Sequence, residues 1–282
     1  MQGAVLPEGP ELATARDELR RLIVGQKLID LCVGVSGRYK DRPPVGLDCF
    51  NDKRSTLGNP TISQVETHGK FMWWKFAFTG GDSWYVHCTY GMAGGWHISP
   101  SKHTAFIVEY TQGGKLYFND PRHFGTLKFI SDQKEHDKKL ASLGPDLLNA
   151  RVTPEIFAKN ILRKPTRTIA EAIMDQSTVS GVGNYAKAEI LFRSGISPWR
   201  VVTDITPSEY VKLCTEAASV LNESYRSQGA TIKTYKNVDG SIGKSQFSFR
   251  VYARDLCPSG HLVKREVTPE GRTSHWCPIC QI

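Results

Sequence analysis

The chain has 282 residues, 40% of them hydrophobic and 23% charged, with a formal net charge of +8. That length allows two or three folded units, and the composition is ordinary for a globular protein. It excludes a bilayer-spanning helix, a charged-then-apolar secretory leader, an internal repeat array and a low-complexity tract.

Residues 10–25 read as a helix. Pro10 suits a first helical position, Glu11 favours the positive end, Leu12, Leu19, Leu22 and Ile23 form an apolar stripe, and Gly25 offers a stop. The pattern then changes to short runs rich in aromatic and β-branched residues: 71–78, 83–87, 105–110 and 115–118. Gly80-Gly81 and Gly113-Gly114 punctuate them, which predicts antiparallel hairpins forming a sandwich. The charged stretch 134–139 reads as a linker. From Thr153 the pattern is helical, with a start signal at Thr153-Pro154-Glu155 and a capping box at Thr206-Pro207-Ser208-Glu209 that opens a long helix ending near Gly229. Residues 230–245 predict a mobile loop, and 247–252 a strand leading into the tail. The fold class is thus multi-domain α+β. A helix plus antiparallel β-sandwich spans 1–133, a linker 134–150, a helical domain 151–246 and a metal-stapled tail 247–282.

Seven cysteines suit no closed disulfide framework, and a reducing compartment, cytoplasm or nucleus, fits best. Cys32, Cys49, Cys88 and Cys214 are scattered through apolar stretches and read as inert buried thiols. The other three fall in the tail. Cys257 and His261 are followed by fifteen residues and then by Cys277 and Cys280. Two ligand pairs at knuckle spacing can meet around one structural Zn²⁺, with thiolates and an imidazole filling all four positions. The basic balance points to a polyanionic partner.

Three further strings carry chemistry. They are Pro7-Glu8-Gly9-Pro10-Glu11-Leu12, Asp120-Pro121-Arg122-His123-Phe124-Gly125, and Ser180-Gly181-Val182-Gly183-Asn184-Tyr185, a glycine turn feeding a helix. Together with the tail and Leu143-Gly144-Pro145-Asp146, in this order, they resemble the formamidopyrimidine-DNA glycosylase and endonuclease VIII family of base-excision repair enzymes.

The resemblance implies a bifunctional DNA glycosylase and AP lyase, acting as a monomer on damaged double- or single-stranded DNA and away from membranes. It also implies that the helical domain is a helix–two-turns–helix and the tail a β-hairpin zinc finger. Pro7 matches the proline whose amine attacks the sugar carbon to form a Schiff base, and Glu8 the carboxylate that protonates the opening sugar oxygen. An α-amine with a pKa of about 8 is roughly one-tenth free base at pH 7, far more than an ordinary lysine. Lys70 matches a lysine at the damaged nucleotide, and Arg272 the zinc-finger arginine that clamps phosphates. Met92, Arg122 and Phe124 match the residues that fill the gap left by an everted nucleotide, and Asn184 a phosphate-binding asparagine. His123 is a weaker phosphate candidate.

Two departures stand out. The family's four-cysteine finger has His261 in the second position here, still a competent ligand. Six residues, Met1 to Leu6, precede Pro7, and a proline inside a chain has an amide nitrogen that cannot form a Schiff base. An active enzyme is therefore expected to begin at Pro7, with Leu6 standing where the family has its initiator. A chain whose amine stays blocked would be a catalytically silent DNA-binding protein of the same fold. A metal-dependent nuclease is disfavoured, because no acidic cluster has the spacing to hold Mg²⁺. The 230–245 segment is short for the lesion-capping loop of the 8-oxoguanine branch and suggests endonuclease VIII-like use of oxidised pyrimidines. Arg122 and Phe124 point to the formamidopyrimidine branch instead.

Overall fold

The structure is a computed structural model that describes residues 7–34, 37–230 and 236–282. The first helix, α1, runs Gly9–Ile23. Leu12, Ala15, Leu19 and Ile23 are buried along one stripe, while Leu22 lies off it and is exposed. Ten strands and six more helices follow in order: β1 Leu28–Val33, α2 Leu47–Leu57, β2 Thr61–His68, β3 Phe71–Ala77, β4 Ser83–Thr89, β5 Gly95–His97, β6 Thr104–Tyr110, β7 Gly114–Asn119, β8 Thr126–Ile130, α3 Gln133–Ala141, α4 Pro154–Ile161, α5 Ile169–Met174, α6 Asn184–Ser194, α7 Pro207–Arg226, β9 Lys264–Val267 and β10 Thr273–Trp276.

Two compact units emerge. One holds residues 11–141 with the segment 236–242; the other holds 7–10, 142–230 and 243–282. In the first, two four-stranded antiparallel sheets have the orders β1-β6-β7-β5 and β2-β3-β4-β8. The hairpins expected at Gly80-Gly81 and Gly113-Gly114 are β3–β4 and β6–β7. Their core is aromatic. Phe50 projects from α2 into Phe76, Phe78, Trp84 and Phe129, with ring centres 5.1–5.8 Å away. Of the scattered cysteines in this unit only Cys88 is buried; Cys32 and Cys49 are exposed, the former on a strand at a sheet edge.

The charged stretch 134–139 is helical rather than a bare linker. Asp132 caps it through the Lys134 N–H at 2.8 Å, and His136 is buried. The expected loop 230–245 lies partly outside the described residues, at 231–235. Its described remainder is anchored: the Val238 N–H donates to Glu18 Oε2 at 2.8 Å, the Ile98 N–H to the Val238 carbonyl at 3.1 Å, and Val238 joins the sheet core.

In the second unit the expected helix starts hold. Thr153 caps α4, and Thr206 and Glu209 form the reciprocal capping box of α7. A second box, Thr168 with Glu171, opens α5; its T-x-x-E spacing was present in the sequence. The strand expected at 247–252 does not form. The N–H groups of Arg250, Val251 and Tyr252 all donate to the buried Glu189 carboxylate, at 2.8–2.9 Å, which replaces a neighbouring strand as their partner. The hairpin β9–β10 follows.

Within the sheet unit, His87 Nε2 lies 2.9 Å from His136 Nδ1, and the His136 ring stacks on Tyr85 with centres 4.0 Å apart. Burial, reinforced by His136, pushes His87 down to about 4. An unfolded histidine takes up its proton near pH 6.5, so between about 4 and 6.5 the unfolded chain binds more protons. Stability from this group is complete above about pH 6.5 and is lost as pH falls toward 4. Chemical denaturation from pH 7.5 to 4.5 should show the decline, and His87→Leu should flatten it by about 1 kcal/mol or more.

Candidate active site and metal centre

Helix α6 begins after a turn in which Gly181 has φ 103°. The N–H groups of a helix's first turn have no partner within the helix. Here Gly183 and Tyr185 donate to the Glu8 carboxylate at 2.7 and 2.9 Å, with Ala186 at 3.3 Å. Glu8 is 1% exposed. The helix's positive end and these donors favour a negative charge there. Close approach demands glycine: a Cβ on Gly183 would lie 2.2 Å from Glu8 Cδ. The Gly9 N–H also donates to the Gly181 carbonyl at 2.9 Å. Two of the sequence strings, far apart in the chain, thus fold onto each other and place buried Pro7 next to an oriented carboxylate.

Asn184 does not point freely into solvent. Its Nδ2 donates to the Thr273 carbonyl at 3.0 Å, tying α6 to β10. Arg272 is exposed at the turn between β9 and β10. It lines a cavity of about 310 Å³ with Arg167, Glu171, Met174, Asp175 and Glu270. Burial pushes the nearby Tyr252 phenol up to about 12, and the charge of Glu8 acts in the same direction.

The tail brings Cys257, His261, Cys277 and Cys280 together, with their ligand atoms within 4.8 Å of one another. His261 Nδ1 is 3.2 Å from Cys280 Sγ and 3.8 Å from Cys277 Sγ, and Cys257 Sγ is 3.9 Å from Cys280 Sγ. A tetrahedral zinc with sulfur at about 2.3 Å has donor–donor edges of about 3.8 Å. The donor set and its spacing therefore fit such an ion.

In the sheet unit, Lys70 sits in the turn between β2 and β3. Arg122 Nη1 lies 3.8 Å from Met92 Sδ, and a Cβ on Gly91 would meet the Phe124 backbone at 2.6 Å, so these two loops touch. Asp120, almost fully buried, accepts from the N–H groups of Arg122, His123 and Gly125 and shapes the loop that leaves Phe124 57% exposed. His123 adopts φ 60° in that loop.

Two charged residues were missed by the sequence reading. Lys187 and Glu189 on α6 are both buried, at 0% and 1% exposure. Their signal was present as charges inside the otherwise apolar run from Tyr185 to Leu191.

Comparison with known proteins agrees with this geometry. Residues 6–127 match the formamidopyrimidine-DNA glycosylase N-terminal domain, and residues 143–236 match the formamidopyrimidine-DNA glycosylase H2TH domain. The chain belongs to the formamidopyrimidine-DNA glycosylase family. It is 33% identical to the formamidopyrimidine-DNA glycosylase of Thermus thermophilus, covering 98% of each, and 32% identical to that of an Exiguobacterium species, covering 98% and 99%. A crystal structure of the Thermus thermophilus protein superimposes with a TM-score of 0.79 at 32% identity, covering 98% of each chain. That of the Lactococcus lactis protein with abasic-site DNA gives 0.83 at 27% identity, covering 98% and 99%. In this chain the Glu8–α6 contact leaves no room for a side chain at Gly183. Gly183→Ala should destabilise the fold by about 2 kcal/mol in thermal or denaturant melts and lower DNA-cleaving activity with it.

Proposed function

We propose that the chain is a bifunctional DNA glycosylase and AP lyase that removes oxidised bases. The observation that carries this reading is the buried Glu8 carboxylate, fixed by α6 backbone N–H groups directly beside Pro7. The Pro7 nitrogen, as a free secondary amine, attacks the sugar carbon that bears the damaged base. The C–N bond to the base breaks, and Glu8 supplies the proton that opens the sugar at its ring oxygen. As the bond from that carbon to the ring oxygen breaks, the nitrogen lone pair forms the C=N⁺ bond of the Schiff base, and the ring oxygen leaves as the hydroxyl that Glu8 has protonated. β-Elimination then breaks the bond to the 3′ phosphate and δ-elimination the bond to the 5′ phosphate. Lys70 and Arg272 serve as the cations at the phosphates. Met92, Arg122 and Phe124 occupy the gap left by the everted nucleotide, a role that suits loops with an exposed ring and a guanidinium.

The substrate class is oxidised bases in DNA. A Lactococcus lactis relative has been captured with Fapy-dG-containing DNA, which favours formamidopyrimidines ahead of oxidised pyrimidines. The amine requirement makes Pro7 the first residue of the active form. Residues 1–6 lie outside the described residues, so this rests on chemistry: an amide nitrogen has no lone pair to donate.

Borohydride trapping on duplexes with Fapy-dG, 8-oxoguanine, thymine glycol or an abasic site tests the proposal. A chain beginning at Pro7 should form a covalent adduct, and Glu8→Gln should reduce it at least about a hundredfold. Trapping by neither the trimmed nor the full chain would leave a silent DNA-binding protein.

Zinc is assigned to the tail site, with Cys257, His261, Cys277 and Cys280 as ligands. It supplies folding energy and a rigid base for the Arg272 turn. Elemental analysis should give one zinc per chain. Cys277→Ser should abolish it and weaken binding to abasic-site DNA, whereas His261→Cys should retain both.

A further inference from the structure

Lys187 is wholly buried on α6, where an unpaired ammonium would cost several kcal/mol. Its Nζ pairs with the Glu270 carboxylate, with Thr268 Oγ1 at 3.5 Å. Thr268 and Glu270 lie in the turn that carries Arg272. The Thr268 hydroxyl is 2.7 Å from Glu270 Oε1, 2.9 Å from the Arg272 carbonyl and 2.8 Å from Ser274 Oγ. The second carboxylate oxygen, Oε2, is buried without a hydrogen-bond partner, and Glu270 lines the same cavity as Arg272. Yet Arg272, two residues away, forms no ion pair among the described residues. Burial draws the Lys187 ammonium down, and the charges of Glu270 and Glu8 oppose that effect while Arg272 adds to it. The lysine therefore sits within the combined field of the carboxylate beside Pro7 and the guanidinium of the hairpin.

We propose that Lys187 is a positioning residue that neutralises Glu270 and so keeps the Arg272 guanidinium available for a DNA phosphate. Without it, the Glu270 carboxylate, two residues away in the chain and lining the same cavity, is an uncompensated anion open to Arg272, and an internal pair would withdraw the clamp. A buried ion pair adds little net stability over an apolar pair of similar volume. What this pair supplies is the allocation of one cation. The inference rests on the reading of Arg272 as a phosphate contact.

The test uses the full chain and a duplex bearing a tetrahydrofuran abasic analogue, with affinity measured across a several-fold range of salt concentration. Arg272→Ala should lower the slope of log K against log[salt] by about one. Lys187→Met should lower it by a similar amount, Lys187→Arg should keep the original slope, and Lys187→Met/Glu270→Gln should restore it. A merely structural lysine would not predict recovery of the salt slope on neutralising its partner. An unchanged slope in Lys187→Met, or no recovery in the double variant, overturns the inference while leaving the Arg272 reading intact. An unchanged slope in Arg272→Ala overturns that reading as well. If Lys187→Met fails to fold, the folded double variant carries the test; if both are unfolded, the lysine is structural and the inference falls.

Discussion

The carboxylate of Glu8, seated in the first turn of α6, is the contact on which the rest of the site depends. It joins residues 175 and more positions apart, and its partners are main-chain N–H groups. Such donors cannot be removed by substitution, and a helix start leaves them unsatisfied unless something caps it. Here the cap comes from the far end of the sequence. One interaction therefore closes the helix, orients the carboxylate and fixes the backbone on which Pro7 sits. Removing the acid would leave buried donors unpaired, at a cost of roughly 1–3 kcal/mol for each.

The same helix repeats the device further along. Glu189 gathers three N–H groups from 250–252, and Lys187 holds the turn between β9 and β10 through Glu270. Asn184 adds a bond to the Thr273 carbonyl. The tail is thus attached to α6 by polar contacts at several heights along the helix axis, before the cysteine and histidine ligands close its far end. These charged contacts act together with Phe249, Val251 and Tyr252, which are buried in the same core as the helices.

Much of this was legible in the residues. The short aromatic and β-branched runs, the glycine pairs between them and the Thr206 box correspond to elements of the structure because each is a local signal. The convergence of Cys257, His261, Cys277 and Cys280 was readable because their paired spacing is itself a local constraint. What escaped was non-local. Residues 247–252 have a strand's composition, but their N–H groups found a carboxylate some sixty positions earlier. Lys187 and Glu189 looked like interruptions in an apolar helix, since nothing nearby reveals which buried partner awaits them. That the Asn184 amide also ties α6 to the Thr273 carbonyl could not be read from its neighbours in the chain. The charged stretch 134–139 read as a linker, while His136 within it carries a buried ring stack that no charge count would disclose.

The Val238 strap has a consequence for how the protein is made. Glu18 and Ile98 find backbone partners in Val238, which arrives 220 and 140 positions later in the chain. During synthesis the sheets can collapse around Phe50 and their aromatic core, but one edge of that unit stays unfinished until nearly the whole polypeptide has emerged. The last contacts of the first-made unit are then among the latest to form, and a chain stopped before residue 238 would leave the Glu18 carboxylate and the Ile98 N–H without the partner that Val238 supplies.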